Sequence, residues 1–275
     1  LEDRGAGPVA GQEAQAGAPR RRAILMHGCA QPVLRPQINE AAIRLLNRLG
    51  VDVVIAKDEG CCGALVHHLG QEDRAHALAR RMIDAWTAEI EAGGVEAIVM
   101  TVSGCGATIK DYGWMFRHDP AYAKKAARVA ALARDVSEYL AGFDLAALPA
   151  ADIGPRRAVT YHSACSLQHG QRIVDAPKAL LRAAGFTVKD PAEPHLCCGS
   201  AGVYNILQPE LAGVLKARKQ KNIARTAPDI VAAGNIGCLT QLQNGLDAPL
   251  VHTVELLDWA TGGPTPEALR EANFN

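Results

Sequence analysis

Eight cysteines occur in the 275 residues, and their spacing repeats. Cys61-Cys62, followed by Gly63, has Cys29 32 positions before it and Cys105 about 40 after it; Cys197-Cys198, followed by Gly199, has Cys165 and Cys238 in the corresponding places. No cysteine is left over. Adjacent side chains point to opposite faces of a strand and diverge by about 100° on a helix. Both thiols of a pair can therefore face one target only where the backbone turns sharply, and Gly63 and Gly199 supply the freedom for that turn. One CCG alone constrains little, whereas two in the same frame demand a fold that gathers distant residues twice.

The segments between the cysteines read as alternating strands and helices. RRAILMHGC predicts a short buried strand from Arg21, with Cys29 just beyond it. Ile38, Ala42, Leu45, Leu46 and Leu49 fall at helical spacing and stop at Gly50, a residue suited to a C-terminal cap. VDVVIA is the second strand. From about Gln71 to Ala92, Leu78, Met82, Ala85, Trp86 and Ile90 mark a long amphipathic helix, and VEAIVMTVSGC is a third strand delivering Cys105. The second half repeats this order. RRAVTYHSAC leads to Cys165, a helix through Leu180 and Leu181 ends at Gly185, and FTVKD precedes Cys197-Cys198. A helix from Pro209 runs through Leu211, Val214 and Leu215, DIVAAGNIGC leads to Cys238, and PLVHTVELLDWA gives a last strand and short helix.

DPAYAKKAARVAALARDVSEYL, between the halves, reads as one bridging helix with Asp119 as N-cap and Pro120 at its first position. Its apolar face carries Val129, Leu132, Val136 and Leu140. The expected division is a flexible linker over 1–20, a first cysteine-rich domain with the bridging helix over 21–142, a second over 155–260, and a loosely held tail over 261–275. The leading Gly/Ala/Gln stretch lacks an initiator methionine and reads as the edge of a longer protein. The alternation predicts an α/β fold of two tandem repeated domains, each a mostly parallel open sheet covered by helices. Such sheets bind ligands beyond the carboxyl ends of their strands, where both cysteine sets fall.

A hydrophobic content of 48% suffices for a core, and 29 basic residues balance 29 acidic ones. Without a basic block, nucleic acid is a poor partner. The longest apolar run, AIVMTV, falls far short of the roughly 20 residues that span a bilayer. With no secretory signal in view, the reading is cytoplasmic, in a reducing compartment where repeated cysteines favour metal over disulfides. Three readings compete for each quartet: disulfides; structural zinc, which commonly takes CxxC knuckles that are absent here; and an iron-sulfur cluster, which suits four thiolates with long gaps at a sheet edge. The last is preferred.

HGCAQPVL, GCCGALVHHLG, TVSGCGATIKDYG, HSACSLQHGQ, HLCCGSAGVYNILQPEL and NIGCLTQLQ also carry a resemblance. The frame resembles the cysteine-rich CCG domain found in heterodisulfide reductase and in several quinone-linked dehydrogenases. The segments resemble more closely the iron-sulfur subunit of bacterial glycolate oxidase, over about residues 21 to 258. The resemblance implies up to two 4Fe-4S clusters, at Cys29/Cys61/Cys62/Cys105 and Cys165/Cys197/Cys198/Cys238. It implies an oxidoreductase subunit relaying electrons from FAD in partner dehydrogenase subunits, where glycolate or another 2-hydroxy acid is oxidised, towards a quinone or membrane-associated acceptor. The complex would place it in the cytoplasm or at the inner face of the membrane. Heterodisulfide reductase motifs end in CxxC, but Val102 and Asn235 stand where the extra cysteines would be, so ordinary 4Fe-4S centres are expected rather than non-cubane ones. The family's upstream CxxCxxCxxxCP runs are absent, which implies a fragment or a different relay to the flavin.

Other residues give weaker signals. His27, His162 and His195 lie near cysteines without equivalent positions in the two halves, since His27 aligns with Ser163 and His195 with Glu59; they read as donors around a centre or as loop residues. His67 and His68 face apart on a helix, which disfavours a metal pair. Lys110, Tyr112 and Gln168 fall in family-like stretches without a derivable role. No GxSxG, HExxH, P-loop or GxGxxG is present, so no flavin or nicotinamide site is read in the chain. Two alternatives stand beside the relay: a docking scaffold stabilised by zinc or disulfides, and a thiol-disulfide reductase.

Overall fold

The computed structural model describes residues 21–155, 157–272 and 274; the expected linker over 1–20 lies outside them. Among the described residues, eight short strands form two four-stranded sheets. In the first, β1 (Arg21–Leu25), β2 (Val51–Val54), β3 (Ala97–Met100) and β4 (Ala133–Asp135) lie in the order β2-β1-β3-β4. In the second, β5 (Ala158–His162), β6 (Thr187–Lys189), β7 (Ile230–Ala233) and β8 (Leu250–His252) lie in the order β6-β5-β7-β8. Every pairing is parallel. The chain leaves β1 towards one edge to make β2 and crosses back to the other side for β3, and the second half does the same. A cleft opens at such a reversal, beyond the strands' carboxyl ends.

The expected bridging helix is interrupted. Helix Ala123–Leu132 ends where Ala133 becomes extended, and Ala133, Arg134 and Asp135 pair with Ile98, Val99 and Met100 as β4. A new helix, Val136–Leu140, then starts from Asp135, whose carboxylate accepts from Ser137 N–H while Glu138 reaches back to Asp135 N–H. That capping box satisfies donors that a continuous helix would have bonded internally. The same device follows β8: His252 caps Thr253–Ala260, with Glu255 accepting from its N–H. Asp119 keeps a capping role, accepting from the N–H groups of Ala121 and Tyr122.

Two differences concern burial. Helix Pro209–Ala224 does not bury Leu211 and Val214, which are exposed; its inner face is Ala212, Lys219, Asn222 and Ile223. The tail also packs, because helix Glu267–Glu271 buries Leu269 and Phe274 meets Trp259 edge-on.

The halves share one core. Helix Gln37–Arg48 packs on Thr253–Ala260, and their duplicated counterparts, Ala176–Ala183 and Val136–Leu140, pack on each other. One apolar cluster accordingly runs from Leu25, Leu45 and Val99 through Leu140 and Leu181 to Val159 and Leu257. Asp258, 1% exposed, binds Arg44 at 2.7 Å and Arg48 at 2.6 Å across this interface. A second cluster, Ile24, Met26, Met82, Trp86, Ile98 and Met100, lies under helix Glu72–Gly93 on the first sheet's outer face.

Candidate metal centres

Each quartet forms at a carboxyl-end rim. Cys29 follows β1, Cys61-Cys62 follow β2, and Cys105 lies in the first turn of helix Ser103–Lys110 after β3. Cys165, Cys197-Cys198 and Cys238 follow β5, β6 and β7, with Cys238 in helix Ile236–Leu242. Gly63 and Gly199 adopt φ of +85° and +92°. A Cβ on Gly63 would lie 2.9 Å from the carbonyl oxygen of Ala75, and one on Gly199 would come closer still to that of Ala212. Glycine is thus required both by its dihedral and by the helix packed beneath the turn. Each glycine N–H in turn donates to the first thiol of its pair, at 3.4 Å to Cys61 and 3.3 Å to Cys197.

All eight thiols are free. In the second half, Cys165 and Cys197 Sγ are 4.0 Å apart, and Cys198 and Cys238 Sγ 3.4 Å. In the first half, Cys29 acts on the acidity of Cys61, and Cys61 and Cys105 on that of Cys62. Such crowding separates the acidities of neighbours, since one thiolate is stabilised by thiols that keep their protons. Cys61 is drawn down to about 2 by hydrogen bonds from Cys29 and then Cys62, and Cys197 to about 2 by Cys165 and then Cys198. Cys29, Cys165 and Cys198 are pushed up, chiefly by the same hydrogen bonds seen from the other side. A positive centre would let every member ionise together. Four soft sulfur donors converging on one rim fit an iron-sulfur cluster.

Residues without a readable role in the sequence build the surroundings. The buried Tyr112 hydroxyl donates to the carbonyl of Cys62 at 2.8 Å. Gln168 donates to the carbonyls of Ser163 and Pro194, joining the loops that carry Cys165 and Cys197. Lys110 pairs with Glu138 at 2.6 Å, away from the thiols. Glu59 accepts from His27 N–H and Trp86 Nε1 behind the first pair, and burial raises its pKa. His27 and His195 are exposed, and His67 and His68 stand tilted apart in the short helix after Cys62. His162 differs: it is 0% exposed, neither ring nitrogen has a hydrogen-bond partner among the described residues, and its ligating atom and the sulfurs of Cys198 and Cys238 lie within 4.8 Å of one another. Asn235, the cap of the Cys238 helix, donates to Cys238 Sγ at 3.6 Å.

The two rims meet at a seam. Ser103 hydroxyl bonds that of Ser166 at 2.8 Å, Gln171 donates to the carbonyl of Ser103, and His252 Nε2 donates to the carbonyl of Thr101 at 2.9 Å. Ser103 N–H also donates to the carbonyl of Gly234 at 3.4 Å, so segments beside Cys105, Cys165 and Cys238 are tied together.

Two parallel α/β units, each presenting free thiols where its strands end, define a duplicated cysteine-rich protein. The chain belongs to the CCG cysteine-rich domain family, whose profile matches residues 23–110 and 159–243. It is 41% identical over 241 residues to the glycolate oxidase iron-sulfur subunit of Escherichia coli, covering 88% of this chain and 58% of that protein. It is 27% identical to lactate utilization protein A of Bacillus licheniformis, covering 84% of this chain and 96% of that one. The chain thus spans less than two thirds of the length of the glycolate oxidase subunit it resembles. A crystal structure of a hypothetical protein from Helicobacter pylori shares the fold, with a TM-score of 0.60 at 11% identity over 94% of this chain and 53% of that one. Among the described residues, no helix is long and apolar enough to cross a membrane.

Proposed function

We propose that the chain is the cluster-bearing, electron-relaying part of a 2-hydroxy acid oxidising complex. The supporting observation is the pair of free thiol quartets at sheet rims joined by one seam, in a chain related to a glycolate oxidase iron-sulfur subunit. Cys29, Cys61, Cys62 and Cys105 would hold one 4Fe-4S centre, and Cys165, Cys197, Cys198 and Cys238 the other. Such a centre, when bound, supplies one-electron transfer at a potential set by hydrogen bonds and exposure.

The protein's own contribution is positional. Gly63 and Gly199 turn both thiols of a pair inward and donate to a sulfur, Tyr112 fixes the first turn, and Gln168 fixes the loops of the second. Oxidation of the substrate would fall to FAD in partner subunits, and electrons would leave towards a quinone-level or membrane-associated acceptor. The protein then works in the cytoplasm or at the inner face of the membrane. Anaerobically prepared protein should contain about eight iron and eight acid-labile sulfide per chain. Stoichiometric zinc without sulfide would sink the proposal in favour of a structural role.

A further inference from the structure

The duplicated positions around the two quartets differ systematically. Counting from the lone cysteine, Met26 at the end of β1 corresponds to His162 at the end of β5; counting from the last, Val102 corresponds to Asn235. Ala75 and Ala212, the residues under Gly63 and Gly199, bring Met82 into register with Lys219. In the first half Met82 Sδ accepts from Gly60 N–H at 3.1 Å, and Cys62 lies in one apolar cluster with Met26 and Met82. In the second, Lys219 is 0% exposed and its Nζ donates to the carbonyls of Glu193 at 2.9 Å and Pro194 at 3.4 Å, just ahead of Cys197. Burial lowers the pKa of that ammonium, and the negative charges of Cys198, Glu193, Cys197 and Cys238 oppose the shift. Asn235 donates to Cys238 Sγ, and His162 is buried against Cys198 and Cys238 with no other polar partner among the described residues. Two methionines and a valine thus stand where the other half has a histidine, a lysine and an asparagine.

Adding an electron to a thiolate-held centre adds negative charge. N–H donors at its sulfurs and a nearby cation stabilise that state, whereas an apolar wall does not. We propose that the two centres are tuned apart, His162, Asn235 and Lys219 making the second the higher-potential one, with His162 directing an imidazole N–H at its sulfurs. The inference rests on reading the quartets as cluster sites.

Potentiometric titration of the anaerobic full chain, followed by electron paramagnetic resonance, tests it. The native chain should give two separated midpoints. His162→Met should lower only the upper one, Asn235→Val should lower it by less, and Met26→His should raise only the lower one. His162→Gln, which keeps a donor, should retain part of the separation lost in His162→Met. Coincident midpoints in the native chain overturn the inference, as does an unmoved upper midpoint in a His162→Met protein that keeps its iron. If His162→Met does not fold, Met26→His decides, and an unmoved lower midpoint overturns the inference. A native chain without iron or sulfide gives no midpoints, which identifies failure of the underlying reading instead.

Discussion

The outer face of the first sheet is apolar, whereas that of the second carries the polar Thr160, His162 and Lys219 beside apolar Val231 and Ala233, although both descend from one repeated plan. Ile24, Met26 and Met100 of the first sheet, with Met82 of the covering helix, have Thr160, His162, Ala233 and Lys219 as counterparts. Backbone and thiols are duplicated, but the chemistry around them is not. Packing supports either choice, because Lys219 finds two carbonyls and Asn222 donates to Glu193 at 2.8 Å. Once the geometry for holding four thiols is fixed, the environment of each quartet is free to diverge.

The comparison breaks most severely where the halves lean on each other. Asp258→Ala leaves Arg44 and Arg48 without their buried acceptor, and urea unfolding should show a loss of about 3–5 kcal/mol. Next come the turns. Alanine at Gly63 or Gly199 combines a left-handed φ with a clash against helix backbone, at a cost of about 3 kcal/mol. Thermal unfolding should show Gly199→Ala as the worse of the two, because Ala212 lies closer than Ala75.

The two capping residues after β4 and β8 should respond to acid in opposite senses. Burial drives His252 from 6.5 down to about 4 and Asp135 from 3.8 up to about 6. Between pH 4 and 6.5 the unfolded His252 binds more protons than the folded one, so its contribution is present above 6.5 and lost as pH falls. Folded Asp135 holds its proton longer than the unfolded carboxyl, so acidification from 6 towards 3.8 favours the fold. Each effect is on the order of 2–3 kcal/mol. Chemical denaturation at pH 7 and pH 4.5 should show His252→Asn losing less stability on acidification than the native chain, and Asp135→Asn losing more. The smallest effect is local: Tyr112→Phe removes one hydrogen bond to Cys62, about 1 kcal/mol, and should perturb signals of the first centre only.

Much of this was legible in the residues. The repeated cysteine frame carried the α/β duplication, because parallel sheets place strand ends, and therefore the following cysteines, on one rim. Gly50, Gly63 and Gly199, read as cap and turns, take the left-handed φ that those roles need. The break at Ala133 was hidden because Val129, Leu132, Val136 and Leu140 continue a helical period across three extended residues. Comparison with the second half held the clue, since Asp135 and Glu138 match His252 and Glu255 as capping box. The contributions of His162, Lys219 and Tyr112 depend on burial and on partners far away in the chain. No local pattern encodes these. Leu211 and Val214 show the converse: apolar spacing marks the helix, but Ala212 seated under Gly199 decides which face turns inward.

The direct test of the central claim is the electron paramagnetic resonance spin count of the reduced, anaerobic chain, compared with Cys62→Ser and Cys198→Ser. Two independent centres predict that each substitution abolishes or alters one signal and leaves the other in place. A native chain that is colourless and silent on reduction, or substitutions in either half that leave both signals untouched, would contradict it.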